Sequence, residues 1–271
     1  MAIHPTAIIE DGCYIGSEVD IGANSYIGAK TQIGDNTVIH AQVVIDGNVK
    51  IGEGNTIFPG AVIGLAPQDK TYQGEESGVL IGNHNVIREY VTINSATGER
   101  SLTQIGDGNM IMAYCHIAHN CLIADKVTMA NSVSLGGHVV VESDAVLGGV
   151  LGVHQYTHIG QISMVGGMSR VDRDVPPFTL VEGNPARIRG LNKIGIQRVR
   201  RLRSLDGDVW PRLKEVFKVL YSDRTALNQS VHRALASFPE DSPEYSLITF
   251  LDQSLNDLNR RGPVPRHSIE D

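Results

Sequence analysis

The chain of 271 residues has few aromatic residues, few cysteines and no long apolar segment. Aromatic residues make up only 5% of it, whereas glycine occurs 29 times, which indicates short, repeated turns rather than a thick conventional core. None of its apolar runs approaches the roughly 20 residues that cross a bilayer. Residues 1–6 lack the basic and apolar regions of a signal peptide. We therefore expect a cytoplasmic protein without stable membrane insertion.

Charge and cysteine content argue against further classes. The net charge of −7 disfavours general nucleic-acid binding by the whole protein. The three cysteines, Cys13, Cys115 and Cys121, are odd in number and lack a secretory context, which argues against a disulfide framework. Their spacing also lacks the paired clusters of a structural zinc site. We interpret them as packing residues and predict neither a metal nor a cofactor.

A six-residue repeat runs through the first part of the chain. Positions at steps of six from Ile3 to Val171 number 29, and 26 of them are Ile, Leu, Val or Met. The exceptions are Asp69, Glu75 and Glu99. In the first repeats a small or β-branched residue stands two positions before the aliphatic one, and glycine often follows it. This hexapeptide is typical of a β-helix, in which the aliphatic residue points inward and the small one fills the corner.

The repeat resembles that of the hexapeptide-repeat acyltransferases. The resemblance implies a left-handed parallel β-helix with 18 residues per coil, so that residues 18 apart stack about 4.8 Å from one another. The pattern is lost in residues 65–80 and again near 95–104. We therefore predict two loops extruded from the coil, and long loops on a rigid scaffold usually carry function.

The repeat ends at Val171, and Pro176 and Pro177 break the strand pattern soon after it. Residues 195–261 are predicted to be helical, with aliphatic residues at near-helical spacing between Arg198 and Tyr221. The predicted fold is thus mainly β. A left-handed β-helix domain over residues 1–190 precedes a C-terminal α-helical domain over residues 191–271.

Several histidines miss the inward positions of the repeat and therefore project from the coil wall or its corners. They are His116, His119, His138, His154 and His158. One coil beyond His119 lies Gly137, whose N–H, unobstructed by a Cβ, can donate to a developing oxyanion. Imidazole is suited to general-base catalysis near neutral pH. No serine or cysteine occupies a partner position, which favours direct acyl transfer over a covalent acyl-enzyme.

An ordered set of motifs narrows the resemblance. The motifs are Gln68-Asp69, His116-Ile117-Ala118-His119, Gly137-His138, Val153-His154-Gln155-Tyr156, Val165-Gly166-Gly167, Pro176-Pro177 and Gly183-Asn184-Pro185-Ala186. With the helical tail, they resemble the UDP-N-acetylglucosamine O-acyltransferases, which perform the first step of lipid A biosynthesis. The resemblance implies transfer of a (R)-3-hydroxyacyl chain from acyl carrier protein to the 3-hydroxyl of UDP-N-acetylglucosamine. It also implies a homotrimer with active sites between subunits.

The resemblance also implies a role for each matching residue. His119 is the implied general base, and the N–H of Gly137 is the implied oxyanion donor. The implied substrate-binding residues are Gln68, Asp69, His116, His138, His154, Gln155, Asn192 and Arg198. Gly167 and Met168 form the implied ruler for the acyl chain.

A basic segment follows the repeat. Residues 187–218 contain ten Lys or Arg residues against three acidic ones. A solvated helix face is the simpler interpretation of such a segment. The family implies a functional one, in which Arg200, Arg201 and Arg203 dock the acidic acyl carrier protein.

Other interpretations stay open at this stage. One is an acetyl-CoA-dependent hexapeptide acetyltransferase acting on a sugar, and another is the same acyl transfer to a 3-amino UDP-sugar. A γ-type carbonic anhydrase needs three converging histidine ligands, but His116 and His119 have no obvious third ligand in register. A non-catalytic scaffold is the last. The chain departs from many family members at Asn94-Ser95-Ala96 and at Ile194, which leaves acceptor contacts and acyl length open.

Overall fold

The structure is a computed structural model, and it describes residues 2–203, 209–221, 225–238, 240 and 242–266. Within these ranges the chain forms 28 short strands and then four helices. Most strands pair in parallel with the strands three places earlier and later in the chain, which builds three sheets as the faces of a coil. This is the parallel β-helix that the hexapeptide pattern predicts.

Each sheet collects strands from successive coils. Sheet A consists of β1 (Ala2–Ile3), β4 (Asp20–Ile21), β7 (Val38–Ile39), β10 (Thr56–Ile57), β13 (Val86–Ile87), β16 (Met110–Ile111), β19 (Thr128–Met129), β22 (Val146–Leu147), β25 (Met164–Val165), β27 (Thr179–Glu182) and β28 (Arg187–Leu191). Sheet B consists of β2 (Ile8–Ile9), β5 (Tyr26–Ile27), β8 (Val44–Ile45), β11 (Val62–Ile63), β14 (Thr92–Ile93), β17 (His116–Ile117), β20 (Ser134–Leu135), β23 (Gly152–Val153) and β26 (Arg170–Val171). Sheet C consists of β3 (Tyr14–Ile15), β6 (Gln32–Ile33), β9 (Asn48–Ile51), β12 (Gly78–Ile81), β15 (Leu102–Ile105), β18 (Leu122–Ile123), β21 (Val140–Val141) and β24 (His158–Ile159).

Three corners join the sheets, and each has a fixed place in the repeat. The first corner leads from sheet A to sheet B, the second from sheet B to sheet C, and the third from sheet C back to sheet A. Because the strands are only two to five residues long, the corners hold much of the chain. Side chains on one corner therefore form a column along the coil.

The core of the coil is a column of aliphatic side chains. From Ile21 to Val171 every aliphatic residue of the six-residue repeat is buried. Cys115 and Cys121 are buried at the small position, and burial raises their thiol pKa values to about 11 and about 12. These two thiols therefore stay neutral, which confirms them as packing residues. Cys13 is half-buried and packs against the same core.

The pairing register locates the two extruded loops. Val44 pairs with Val62, which is the spacing of an ordinary coil of three hexapeptides. Val62 pairs with Thr92, so that this coil is longer by two hexapeptides. Thr92 pairs with His116, so that the next coil is longer by one. Because both insertions are whole numbers of hexapeptides, the aliphatic phase is kept beyond each loop.

Both loops leave the coil at the second corner. The first spans residues 64–77 and the second spans residues 94–101. Each ends earlier than the sequence predicts, because residues 78–80 and 102–104 are strand that extends the pairing of β12 with β15. The loss of the repeat therefore located the loops but placed the end of each about three residues too late.

Four helices follow the coil. They are α1 (Lys193–Arg203), α2 (Val209–Leu220), α3 (Leu227–Leu235) and α4 (Pro243–Asn256). The predicted stretch from Arg198 to Tyr221 is divided between α1 and α2, and residues 204–208 lie outside the described ranges. The last strand ends at Leu191, next to the domain boundary between 190 and 191, which stays a prediction. No helix in the described ranges is long and apolar enough to cross a membrane.

A buried carboxylate joins the coil to the C-terminal part. The Asp174 side chain is only 2% exposed, and its Oδ2 lies 2.9 Å from Nη2 of Arg260. The same oxygen accepts a hydrogen bond from the Ser254 hydroxyl, while Oδ1 accepts one from the backbone N–H of His158. Since Asp174 stands at the end of the coil, these bonds fix the chain around residues 254–260 against it.

Candidate active site

The first loop brings a carboxylate to an imidazole on the second corner. Asp69 lies in this loop, and His119 lies on the second corner just after β17. The distance from His119 Nε2 to Asp69 Oδ2 is 3.9 Å, and the two side chains are 12% and 21% exposed. Asp69 Oδ1 accepts hydrogen bonds from the backbone N–H and the hydroxyl of Thr71, both at 2.9 Å. These bonds hold the pKa of Asp69 below its ordinary value, so a carboxylate faces the imidazole.

Asn120 fixes the tautomer of His119. The Oδ1 of Asn120 lies 2.9 Å from His119 Nδ1 and accepts a bond from the N–H of Thr97, while Asn120 Nδ2 donates to the carbonyl of Thr97. This pair of bonds to Thr97 identifies which amide atom is the oxygen. An amide oxygen can only accept, so Nδ1 must donate. In the neutral ring Nε2 is therefore the nitrogen that carries the lone pair, on the Asp69 side, as a general base requires.

Gly137 occupies the space directly beside the imidazole. A Cβ built on Gly137 would lie 2.5 Å from both Cε1 and Nε2 of His119, closer than real Cβ atoms come to other heavy atoms. The predicted coil stacking is confirmed, because the N–H of His138 donates to the carbonyl of His119 at 3.0 Å. Only glycine fits this position without displacing the base.

The backbone N–H of Gly137 is placed to receive an oxyanion. At the equivalent position of other repeats, the backbone N–H donates to a side-chain carboxylate. The N–H of Ser17 donates to Asp35, and the N–H of Asp107 donates to Asp125. In the described part of the chain no acceptor bonds the N–H of Gly137. A donor beside the base and without an acceptor of its own is the arrangement that stabilises developing negative charge.

Two further histidines surround the base and stay neutral. His116 Nδ1 lies 2.7 Å from the Thr92 hydroxyl. His138 meets His119 edge-on at 5.3 Å between ring centroids and stacks on Tyr156 at 4.6 Å. Burial lowers the pKa of both His116 and His138, and the nearby His119 lowers both further. Near neutral pH these rings act as hydrogen-bonding and packing groups rather than cations.

The lowered pKa of His116 predicts a pH-dependent stability. Between the lowered pKa of His116 in the folded chain and its ordinary value of 6.5, the unfolded chain binds more protons than the folded one. The contribution of His116 to the free energy of unfolding is therefore complete above pH 6.5 and is lost as pH falls below it. We expect the thermal midpoint to fall between pH 7.5 and pH 5.5, and to fall less in the variant His116→Gln. Differential scanning calorimetry at both pH values measures this. An equal decrease in the two proteins would contradict it.

The remaining second-corner residues lie on the same column. Gln68 is exposed beside Asp69 on the first loop, and His154 and Gln155 are exposed one coil beyond Gly137. His154 Nδ1 lies 2.9 Å from the carbonyl of Gln155. The structure thus brings eight of the predicted site residues together, on the second corner of one chain and at the start of the adjoining strand β17. They are Gln68, Asp69, His116, His119, Gly137, His138, His154 and Gln155.

The other predicted residues lie elsewhere on the coil. Gly167 and Met168 stand on the first corner, where Met168 is 78% exposed. Asn192 is buried near the third corner, donating to the carbonyl of Ile162 at 2.7 Å and accepting from the N–H of Gly195 at 3.0 Å. It therefore caps the start of α1. Its predicted substrate contact is untested.

Helix α1 carries the remaining predicted contacts. Arg198 and Arg201 are exposed on it. Arg200 and Arg203 belong to the same helix, but the positions of their side chains lie outside the described ranges. Their predicted roles stay predictions.

The sequence departures after Ile93 have a structural role. Asn94 Nδ2 donates to the carbonyl of Ala66 at 2.8 Å, and the hydroxyl of Ser95 donates to the carbonyl of Gly64 at 2.7 Å. Both side chains are buried at the base of the first loop. They hold the loop that carries Asp69 over His119.

The histidines of the second corner do not converge on one point. His116 Nδ1 bonds the Thr92 hydroxyl, and His119 Nδ1 bonds the amide oxygen of Asn120. The described residues contain no group of three or more His, Cys, Asp or Glu side chains arranged to hold a metal ion. This arrangement differs from the three converging ligands that a zinc centre of the carbonic anhydrase type needs.

Comparisons with known proteins agree along the chain. The profile of the bacterial transferase hexapeptide repeat matches residues 30–65 and 102–137, and the profile of UDP-N-acetylglucosamine O-acyltransferase domain 2 matches residues 174–264. A Synechocystis protein named acyl-[acyl-carrier-protein]–UDP-N-acetylglucosamine O-acyltransferase is 52% identical over 264 residues, covering 97% of this chain and 94% of its own. A Verminephrobacter eiseniae protein of the same name is 46% identical, covering 89% and 91%.

Solved structures give the same result. The UDP-N-acetylglucosamine acyltransferase from Campylobacter jejuni superposes with a TM-score of 0.88 at 37% identity, covering 98% of this chain and 100% of that one. The Francisella novicida UDP-N-acetylglucosamine acyltransferase gives 0.90 at 33% identity, covering 97% and 94%.

Fold and site together define a hexapeptide-repeat acyltransferase. The predicted left-handed parallel β-helix with a C-terminal α-helical domain is confirmed. The chain belongs to the UDP-N-acetylglucosamine O-acyltransferase family.

Proposed function

We propose that this enzyme transfers a (R)-3-hydroxyacyl chain from acyl carrier protein to the 3-hydroxyl of UDP-N-acetylglucosamine, the first step of lipid A biosynthesis, in the cytoplasm. The observation that carries the proposal is the convergence of His119 Nε2, the Asp69 carboxylate and the Gly137 N–H on one corner. The relatives' names supply the substrate classes. The site supplies a base and an oxyanion donor for acyl transfer to a hydroxyl.

The reaction proceeds in two steps. His119 Nε2 takes the proton of the sugar 3-hydroxyl as its oxygen attacks the thioester carbon. The thioester oxygen becomes an oxyanion and accepts the N–H of Gly137. The intermediate then expels the thiolate of the carrier arm, which takes the proton from the imidazolium. Because Cys115 and Cys121 are buried neutral thiols, direct transfer is favoured over a cysteine-linked acyl-enzyme.

The acceptor lies along the second corner. Asp69 accepts hydrogen bonds from the glucosamine hydroxyls, with Gln68 and His116 beside it. His138, His154 and Gln155 contact the substrates further along the column. Arg198 reaches the nucleotide from α1, and Asn192 acts by capping the start of that helix.

The site requires a neighbouring copy of the chain. The base lies on the second corner, while the proposed ruler residues Gly167 and Met168 lie on the first corner. Two corners of one coil point in different directions, so the ruler can face the base only across an interface. This supports a homotrimer with its active sites between subunits.

The trimer predicts a definite mass. We expect about three times the chain mass of 29.3 kDa in light scattering at assay concentration. Active protein at the mass of one chain would contradict the shared site.

Helix α1 is the proposed dock for the carrier protein. Reversing Arg200, Arg201 and Arg203 to Glu replaces attraction by repulsion toward an acidic partner. We expect the KM for the acyl carrier protein thioester to rise about tenfold or more, with weaker salt dependence, and the KM for the UDP-sugar to stay constant. Lys50→Glu, an exposed charge reversal on sheet C, is the matched control. An unchanged KM in the triple variant would remove the dock from α1.

Product mass spectrometry tests the function itself. The protein is incubated with UDP-N-acetylglucosamine, 3-hydroxyacyl carrier proteins of different chain lengths and acetyl-CoA. A single hydroxyacyl adduct supports the proposal and gives the acyl length directly. An acetyl adduct overturns it in favour of an acetyltransferase. If no adduct forms, a 3-amino UDP-sugar is supplied next, and an adduct there identifies the amine as the acceptor.

A further inference from the structure

The column of second-corner residues that contains His119, Gly137 and Gln155 continues for one more coil. Ser134 pairs with Gly152, and Gly152 with Arg170, each pair one coil apart. In the same register, Arg173 stands on the second corner in the column of His119. At about 4.8 Å per coil, three coils place it about 14 Å from His119 along the coil axis. A cation thus lies in line with the base, at the end of the coil.

Arg173 lies beside a second arginine at a small hollow of about 60 Å³. The hollow is lined by residues 154–157, 172–174 and 259–261. Arg173 Nη1 donates to the backbone carbonyl of Arg261, which fixes the segment after α4 against the column. Both arginines are exposed at this hollow.

The charges around the hollow do not balance. Asp172 pairs with Arg170 at 3.0 Å, and Asp174 pairs with Arg260 at 2.9 Å. No carboxylate of the described residues lies within ion-pair distance of Arg173. The same holds for Arg261, so the described residues supply no counter-ion to either of these two cations. Guanidinium groups are suited to binding phosphate.

We propose that Arg173 and Arg261 form a phosphate-binding subsite, which takes the phosphate of the phosphopantetheine arm of the acyl donor. The inference rests on the proposed function for the identity of the donor. The diphosphate of the acceptor is bonded to the same sugar ring that reacts at His119. Only the width of that ring separates it from the base, which is much less than the three coils between His119 and Arg173. The phosphate of the donor lies at the far end of an extended pantetheine arm, a length that matches three coils.

An exposed leucine supports the donor as the source. Leu258 is 99% exposed on the segment that carries Arg261. A large apolar side chain in full contact with water is suited to meeting another protein. The carrier protein follows directly after the phosphate of its arm, so it would meet this segment in addition to its proposed dock on α1.

Paired thioesters test the subsite. The variants Arg173→Gln and Arg261→Gln are compared with the exposed-cation control Lys50→Gln, using 3-hydroxyacyl-phosphopantetheine and 3-hydroxyacyl-pantetheine as donors. We expect each arginine variant to raise the KM for the phosphorylated donor about tenfold. The KM values for the unphosphorylated donor and for UDP-N-acetylglucosamine stay unchanged, as do all values for the control.

Three results would overturn the inference. A raised KM for UDP-N-acetylglucosamine alone assigns the arginines to the nucleotide. An equal rise for both donors removes the phosphate contact, and no change removes the subsite. Calorimetric binding of phosphopantetheine to wild type and Arg173→Gln needs no turnover. If wild type transfers no acyl chain yet binds phosphopantetheine through Arg173, the proposed function fails and the subsite stands.

Discussion

Replacing His119 by alanine is expected to lower kcat for acyl transfer about a thousandfold, within the range of roughly 10² to 10⁴ that general-base catalysis contributes. The imidazole is the group whose Nε2 faces Asp69 while Nδ1 is committed to Asn120. Without it the sugar hydroxyl must attack before losing its proton. Steady-state rates with the acyl carrier protein thioester at saturating UDP-N-acetylglucosamine measure the loss.

The matched control is His232→Ala. His232 is exposed in α3, a helix that carries none of the predicted site residues, and alanine is a good helix former. We expect its kcat to equal that of wild type. The thermal midpoint of His119→Ala is measured beside it, since a damaged coil would also lose activity. Full acyl transfer by folded His119→Ala would remove the general-base role and favour a binding module.

The coil itself could be predicted because each repeat has a fixed length of six residues and buries the residue at the same position. A buried aliphatic side chain at every sixth position sets the phase, so that a coil of three hexapeptides places Gly137 beside His119 without any knowledge of the loops. The loops were visible for the opposite reason, since Asp69, Glu75 and Glu99 cannot occupy inward positions.

The contacts that orient the base could not be predicted in this way. Asn120 bonds His119 directly, but its amide is oriented by Thr97, a residue of the second loop, and the conformation of a loop is not set by the repeat. One signal was present: Asn120 follows His119 directly at a corner position where φ is 59°, which asparagine tolerates. The bond from Asn192 to the carbonyl of Ile162 was missed for a similar reason, since the two residues lie 30 apart in sequence. The cap that Asn192 makes with the N–H of Gly195 is local, and an asparagine directly before a helix is the signal that could have found it.

Replacing Gly137 by alanine is expected to lower kcat by about a hundredfold or more, the size of effect that follows loss of one oxyanion donor or displacement of a reacting group. The new methyl would lie 2.5 Å from His119 Nε2 and Cε1, and the bond from Nδ1 to Asn120 resists retreat of the ring. Steady-state kcat with the acyl carrier protein thioester measures the effect. Gly152→Ala is the control, because a Cβ on Gly152 meets nothing within 4 Å. Equal kcat in the two variants would contradict the prediction.

The double variant of His119 and Gly137 separates the two ways in which the methyl can act. If Gly137→Ala acts only by displacing the imidazole, it costs nothing further in His119→Ala, where the ring is absent and the methyl has room. If the methyl also shifts the N–H that binds the oxyanion, the double variant is slower than His119→Ala alone. Residues in contact are expected to be non-additive, and the size of the coupling between them is the quantity measured. Full additivity would mean that the methyl leaves the ring in place and acts through the backbone donor alone.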